Sequence, residues 1–146
     1  MTGPMTNPTA ETRSLVIERE MPHTPEKVWR ALTERPLIAQ WMMENDFQPV
    51  VGHSFTFHAT PVPSWNGIVE CEVLLVDPHR ILSYRWGVQG LEPWVVTLTL
   101  TPTPAGTHLR MEQSGFRPDQ TAAFKGAQYG WQKFIGNLER VVEGMG

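Results

Sequence analysis

The chain of 146 residues is 40% hydrophobic and 18% charged, with a net charge of −3, which is typical of one soluble globular domain and not of a disordered or fibrous chain. Twelve Lys and Arg against 15 Asp and Glu argue against nucleic acid binding, because phosphates are contacted mainly by basic side chains. The single cysteine, Cys71, excludes an internal disulfide framework, and no apolar run reaches the ~20 residues of a membrane span or resembles a signal peptide. We therefore expect a cytoplasmic protein that binds neither nucleic acid nor membranes.

The N-terminal third of the chain predicts a tail, a strand and two short helices. Residues 1–12 contain two prolines and no apolar periodicity, so we expect a flexible tail before a single domain over residues 13–146. Alternation over residues 13–20 predicts a half-exposed strand. Thr24, followed by a proline and a glutamate, predicts a capped helix start, and Pro36 ends that helix and begins a second one.

The middle of the chain has a period of two for about sixty residues, the pattern of antiparallel strands. We predict five strands there, which with the first strand make a six-stranded sheet. In the second of the five, over residues 65–76, the alternation assigns alternate residues to the inner face and two glutamates to the wet outer face. The inward residues are Val69, Cys71, Val73 and Leu75, and the outward ones are Glu70 and Glu72.

From Asp119 to about Glu143 the apolar residues recur at helical spacing, which predicts a helix of about 36 Å. Its glycines Gly126, Gly130 and Gly136 indicate either close packing on a neighbouring element or a lid segment that moves. The predicted fold is therefore α+β, with a curved six-stranded antiparallel sheet, two short helices and a long C-terminal helix across it. Such an arrangement leaves space for a ligand between helix and sheet.

Motifs for catalysis, for cofactors and for metal binding are not found in the sequence. We therefore predict no catalytic residue, no cofactor and no metal site. Glu70 and Glu72 share a strand face, a spacing that could pair carboxylates for acid–base work, but they share it with Glu112 and other polar residues, which favours a solvated surface. Cys71 is interpreted as a small buried hydrophobe.

Large aromatic residues on the inner face surround few polar ones, which is the composition of a small-molecule cavity and also of a well-packed core with a few satisfied hydrogen bonds. We predict a hydrophobic-ligand cavity in which Tyr84 and Gln113 orient the polar end of the ligand. The predicted ligand-binding residues are Trp41, Phe55, Phe57, Tyr84, Trp86, Trp94, Met111, Gln113 and Trp131.

Several segments carry a resemblance to known proteins: TPEKVWRALT at 24–33, LIAQW at 37–41, GIVE at 67–70, LSYRW at 82–86, GTHL at 106–109, SGF at 114–116 and GW at 130–131. With the order of the elements, they resemble the START-like (SRPBCC, helix-grip) superfamily, and within it the family of the C-terminal domain of the activator of the Hsp90 ATPase. The chain departs from the usual pattern at Arg35, where an aspartate commonly precedes the proline of the second helix. This departure weakens a helix cap.

The resemblance implies one fold with several activities. Members bind lipids, hormones and polyketides in the helix-grip cavity, so our first hypothesis is binding of a hydrophobic or aromatic small molecule by a monomer or homodimer. The family name implies a second, a chaperone-associated interaction module, although the eukaryotic co-chaperone has an additional N-terminal domain for which 146 residues leave no room. A third, a cyclase or hydratase, would need Glu70, Glu72 or Glu112 to point into the cavity.

Overall fold

The computed structural model describes residues 12–63 and 65–145, so all of the predicted tail except Thr12 lies outside the described residues. The elements in chain order are β1 (Arg13–Met21), α1 (Pro25–Thr33), α2 (Arg35–Trp41), β2 (Glu44–Asn45), β3 (Ser54–His58), β4 (Ile68–Asp77), β5 (Ile81–Gly87), β6 (Trp94–Thr103), β7 (Gly106–Phe116) and α3 (Thr121–Gly144). The strands form one antiparallel sheet in the order β1-β7-β6-β5-β4-β3-β2. The α+β fold and the long C-terminal helix are confirmed.

The two short helices begin and end as their sequences predict. The Thr24 hydroxyl accepts a hydrogen bond from the Lys27 backbone N–H at 3.3 Å, with a proline at the first helical position of α1. Helix α2 follows after Glu34 and also carries a proline in its first turn, but no side chain caps it. The N-cap position belongs to Glu34 and Arg35 is the first helical residue, so the residue expected to weaken the cap is not the capping residue itself.

The sheet has seven strands, so the prediction of six was wrong. The additional strand, β2, pairs Glu44 with His58 and Asn45 with Phe57 at the edge of the sheet. A segment of two residues cannot display alternation, and its strand character comes from pairing with residues that are more than ten positions away in sequence. The sequence pattern therefore contained no sign of it.

A β-bulge in β4 reverses the predicted side of one residue. Val73 pairs with Tyr84, whereas Leu75 pairs with Ser83, which leaves an extra residue on β4. Beyond this point the alternation shifts by one, and Leu75 is 43% exposed instead of facing the core. Before the bulge the predicted inner residues Val69, Cys71 and Val73 are all buried.

The hydrophobic core lies between the inner face of the sheet and α3. The C-terminal half of α3 buries Ile135, Leu138 and Val142 completely and packs against α1, α2 and β1. The outer face carries ion pairs such as Arg110 with Glu112, whose side-chain atoms are 2.8 Å apart. None of the described helices combines the length and the apolar character needed to cross a membrane.

Candidate functional site

A cavity of about 640 Å³ lies between the N-terminal half of α3 and the inner face of β4 to β7. Small-molecule sites in proteins typically occupy about 300–1,000 Å³, so this space suits a ligand of moderate size. Residues from the segment after α2, the loops after β3 and β5, four strands and α3 line it. They are Met42, Met43, Ala59, Trp65, Val69, Trp86, Val88, Leu91, Trp94, Gln113, Phe116, Ala123, Gly126, Ala127, Gly130, Trp131 and Phe134.

The glycines of α3 leave this space open. A Cβ atom added at Gly126, Gly130 or Gly136 would meet no atom within 4 Å outside the local helix backbone. Close packing of these glycines on a neighbouring element is therefore wrong as an interpretation. Gly126 and Gly130 line the cavity, and neither contributes a side chain that would fill it. Whether this half of the helix moves as a lid stays a prediction.

Aromatic rings form two walls of the cavity. Trp86 and Trp94 are cross-strand partners on β5 and β6. The Trp86 ring lies 5.5 Å from Trp131 of α3, which in turn contacts Phe134 at 5.6 Å, edge to face. Trp94 stacks on Phe116 at 5.1 Å. These spacings are those of favourable aromatic pairs, so the walls hold their shape through mutual packing.

Gln113 is the one described lining residue with a side-chain amide, and it determines which polar group the cavity offers a ligand. Gln113 of β7 is only 2% exposed, and its Oε1 accepts a hydrogen bond from Trp131 Nε1 at 2.7 Å. Trp94 Nε1 is buried and has no hydrogen-bond partner among the described residues. Trp65 Nε1 is satisfied, because it donates to the Ile68 carbonyl at 3.1 Å.

Four of the nine predicted ligand-binding residues line the cavity: Trp86, Trp94, Gln113 and Trp131. The other five, Trp41, Phe55, Phe57, Tyr84 and Met111, are buried in the core and do not line it. The structure thus places four of the predicted residues around the same cavity. Their part in binding stays a prediction.

The five core residues are enclosed by other side chains. Tyr84 lies 5.4 Å from Phe55 and 6.1 Å from Phe57, ring centre to ring centre. Burial, and secondarily the nearby Cys71, raise the pKa of Tyr84 well above its usual range. Trp41 donates its Nε1 hydrogen to the Ala31 carbonyl at 2.8 Å, which ties α2 to α1. Tyr84 is thus placed to support the aromatic wall from behind.

Sequence reasoning missed several lining residues, including Met42, Met43, Trp65, Leu91 and Phe116. Leu91 lies in a loop, where no periodicity assigns an inner face. Trp65 was predicted to begin the strand over residues 65–76, but β4 begins at Ile68 and Trp65 lies in the loop before it. Met42 and Met43 follow the end of α2, so their helical phase is also undefined. Phe116 is the last residue of β7, and the alternation that puts Gln113 on the inner face does not continue to it. The alternation is interrupted at Gly115, whose φ is +102°.

The ionisable groups considered as possible catalysts lie away from the cavity. Glu70, Glu72 and Glu112 are on the outer face as predicted, and hydrogen bonding to Arg110, then to Ser14, lowers the pKa of Glu112. Burial, and then Asp46, raise the pKa of the Cys71 thiol, so a thiolate is disfavoured there. Among the described lining residues no side chain is ionisable, so the cavity offers apolar contact and hydrogen-bond donors.

A second depression of about 630 Å³ lies on the outer face over β3 to β5. Its lining includes Glu70, Glu72 and Arg85, and the last two already form an ion pair. A solvated surface with paired charges gains little by binding an apolar molecule. The inner cavity is the better candidate site.

The comparisons with known proteins agree with this architecture. Residues 22–143 match the family described as Activator of Hsp90 ATPase homolog 1-like protein. The chain is similar to protein MLL2253 from Mesorhizobium loti, with 51% identity, a TM-score of 0.83, and coverage of 90% of this chain and 97% of the other. No curated protein sequence matches the chain.

Two further solved structures share the fold. DynU16, a protein of the dynemicin biosynthetic locus, is 25% identical with a TM-score of 0.76, covering 90% of this chain and 47% of DynU16. CalU16 from Micromonospora echinospora is 22% identical with a TM-score of 0.75, covering 96% of this chain and 82% of CalU16. At 22% identity CalU16 supports the fold alone.

Proposed function

The chain belongs to the family of Activator of Hsp90 ATPase homolog 1-like proteins, with the START-like helix-grip fold, and within this family we propose that it binds a hydrophobic or aromatic small molecule. The ligand would occupy the cavity between β4 to β7 and the N-terminal half of α3. The observation that carries the proposal is this cavity of about 640 Å³, whose described lining is aromatic and aliphatic apart from Gln113 and the indole nitrogens.

The driving force for binding is the removal of apolar surface from water, at about 25 cal/mol for each Å² buried. Trp86, Trp94, Trp131 and Phe134 provide large flat surfaces against which a planar ligand can stack. Because these rings also contact one another, little side-chain ordering is required when a ligand enters, and less of the binding free energy is lost. The similarity to DynU16, a putative protein in the dynemicin biosynthetic locus, is the comparison that supports a ligand-binding role for this chain.

The proposal is tested by titrating N-phenyl-1-naphthylamine, a neutral probe whose fluorescence rises in apolar surroundings. We expect saturable binding to the unmodified protein. In Gly130→Leu the new side chain enters the cavity, so binding should weaken by tenfold or more, while the fold is kept because a Cβ there meets nothing within 4 Å.

Gly136→Leu is the matched control. It makes the same change on the same helix, also with open space around the Cβ position, but outside this cavity. We expect it to bind the probe as the unmodified protein does. Equal weakening in both variants, or no binding to the unmodified protein, would contradict the proposed site.

Chaperone association is the second candidate, and the match of residues 22–143 to a family described by Hsp90 ATPase activation favours it. Its test is the ATPase rate of a cognate Hsp90 with and without this protein. An unchanged rate would remove this candidate. An enzymatic role of the cyclase or hydratase type is less favoured, because the described lining supplies no acid or base and the glutamates considered for it point to the opposite face.

A further inference from the structure

We propose that the ligand carries a neutral hydrogen-bond acceptor, such as a ketone or ester oxygen, and that the side-chain amide N–H of Gln113 binds it. This inference rests on the proposed function, since it concerns the same cavity, and it adds the chemical class of the ligand's polar group.

The orientation of the Gln113 amide follows from its partner. An indole N–H can only donate, so the Gln113 atom that Trp131 Nε1 approaches at 2.7 Å must be the oxygen. The amide nitrogen is the other branch of this side chain, and it is not among the polar atoms that are both closed to solvent and unpartnered, so it keeps contact with accessible space. A buried amide that has one half satisfied has two N–H donors left for a ligand.

Trp94 lies on the neighbouring strand but presents no donor to the cavity. Gln113 pairs with Val96 of β6, two residues along the same face from Trp94. The Trp94 side chain is 4% exposed, and its Nε1 is the buried side-chain polar atom that lacks a partner in the part of the chain that the structure describes. Because that atom is closed to solvent, it does not face the cavity, and we assign the ligand's acceptor to the amide N–H groups of Gln113.

Acceptors are scarce in the same lining, and charge is absent from it. Gln113 Oε1 is the one side-chain oxygen among the described lining residues, and Trp131 already donates to it. A ligand hydroxyl or amine would have to share that oxygen. A ligand carboxylate would lose its hydration without meeting a cation, which is costly in an apolar site. A neutral acceptor neither competes for the Gln113 oxygen nor brings a charge into the apolar lining.

The test compares three probes of one size: 2-acetylnaphthalene, its alkene analogue 2-isopropenylnaphthalene, and 2-naphthoate. On the unmodified protein, the infrared stretch of a ¹³C-labelled acetyl carbonyl should move to lower frequency on binding, relative to its position in a hydrocarbon solvent. Dissociation constants from calorimetry should show 2-naphthoate as the weakest ligand. Both measurements avoid substitutions in the core.

A variant pair then assigns the donor. Gln113→Leu alone would leave Trp131 Nε1 unpaired, so the comparison is made in the Trp131→Phe background, where both partners of that hydrogen bond are absent. Relative to Trp131→Phe, the double variant should lose about 3–10-fold in its preference for the ketone over the alkene, the range expected for one net hydrogen bond.

The outcomes separate this inference from the proposed function. Suppose that both neutral probes bind but the carbonyl stretch stays at its hydrocarbon value, or that Gln113→Leu in the Trp131→Phe background leaves the preference for the ketone over the alkene unchanged. Either result overturns the inference, while ligand binding in the cavity stands. If 2-naphthoate binds most tightly, the neutral acceptor is overturned. If no probe binds, the proposed function and this inference fail together.

Discussion

At the scale of single residues, the polar groups on the two faces of the sheet have different tasks. On the inner face Trp131 Nε1 donates to Gln113 Oε1 inside an apolar environment, and both residues are almost completely buried. On the outer face His108 of β7 lies between two glutamates of β1, and its protonated ring donates one hydrogen bond to Glu20 and one, at 2.6 Å, to Glu18. This group of three is partly exposed and titratable, so its contribution to stability depends on pH.

The pKa of His108 is raised, first by the hydrogen bond with Glu20 and then by that with Glu18. A raised pKa in the folded state means that protonation favours folding. The stabilisation is fully present below the unfolded histidine pKa of about 6.5 and is lost as the pH rises through the folded pKa. We expect His108→Gln to lower the free energy of unfolding more at pH 6 than at pH 9, as measured by urea denaturation.

NMR titration of the His108 ring checks the cause. Its midpoint should lie above 6.5, and the Glu18→Gln/Glu20→Gln variant should lower it. A midpoint at or below the ordinary histidine value in the unmodified protein would show that the two glutamates do not stabilise the charged ring.

At the scale of the elements, α3 consists of two halves with different surroundings. Its C-terminal half packs on α1, α2 and β1, whereas its N-terminal half covers the cavity and contains Gly126 and Gly130. Glycine in a helix interior costs about 0.5–1 kcal/mol relative to alanine. The weaker half is therefore the half over the cavity.

Gly126→Ala and Gly130→Ala should each raise the free energy of unfolding, by up to about 1 kcal/mol. The physical reason is that the added Cβ meets no atom within 4 Å, so the backbone entropy gain is not offset by a clash. Gly106→Ala is the contrast, because that glycine has a φ of +152° and its added Cβ would collide with the Met21 carbonyl oxygen. Urea denaturation should show that Gly126→Ala and Gly130→Ala stabilise the protein and that Gly106→Ala destabilises it. Destabilisation by Gly130→Ala would mean that α3 packs more closely at Gly130 than in the structure.

Periodicity predicted the elements well where the alternation was long and failed where it was short. The inner positions of β5, β6 and β7 were assigned correctly, as Tyr84, Trp86 and Met111 illustrate. Leu75 was misplaced because a bulge adds one residue to β4 without leaving a trace in composition. Strand β2 was missed because two residues have no period.

At the scale of the whole molecule, the cavity occupies one end of a sheet whose other end is closed by the packed half of α3. A cavity of this size with an apolar lining retains hydrophobic molecules through purification when affinity is high enough. We expect the native mass of freshly purified protein to exceed its denatured mass by the mass of a bound small molecule. The excess mass should decrease in Gly130→Leu and remain in Gly136→Leu. A native mass equal to the denatured mass in every preparation would count against a tightly held ligand.

What the sequence by itself determined is the type and order of nearly all elements, the α+β class with a long helix across an antiparallel sheet, and the inner face of the long strands except beyond the bulge in β4. These properties depend on side-chain periods of two and 3.6 residues, which are local. The division of the inner aromatic residues between core and cavity was decided only by the tertiary structure. Trp86 and Phe57 have the same inward phase, yet only Trp86 borders the cavity. The physical reason is that a period specifies only the side of a strand on which a residue lies. How much space remains above that residue depends on the glycine-containing half of α3 and on the loop that carries Trp65.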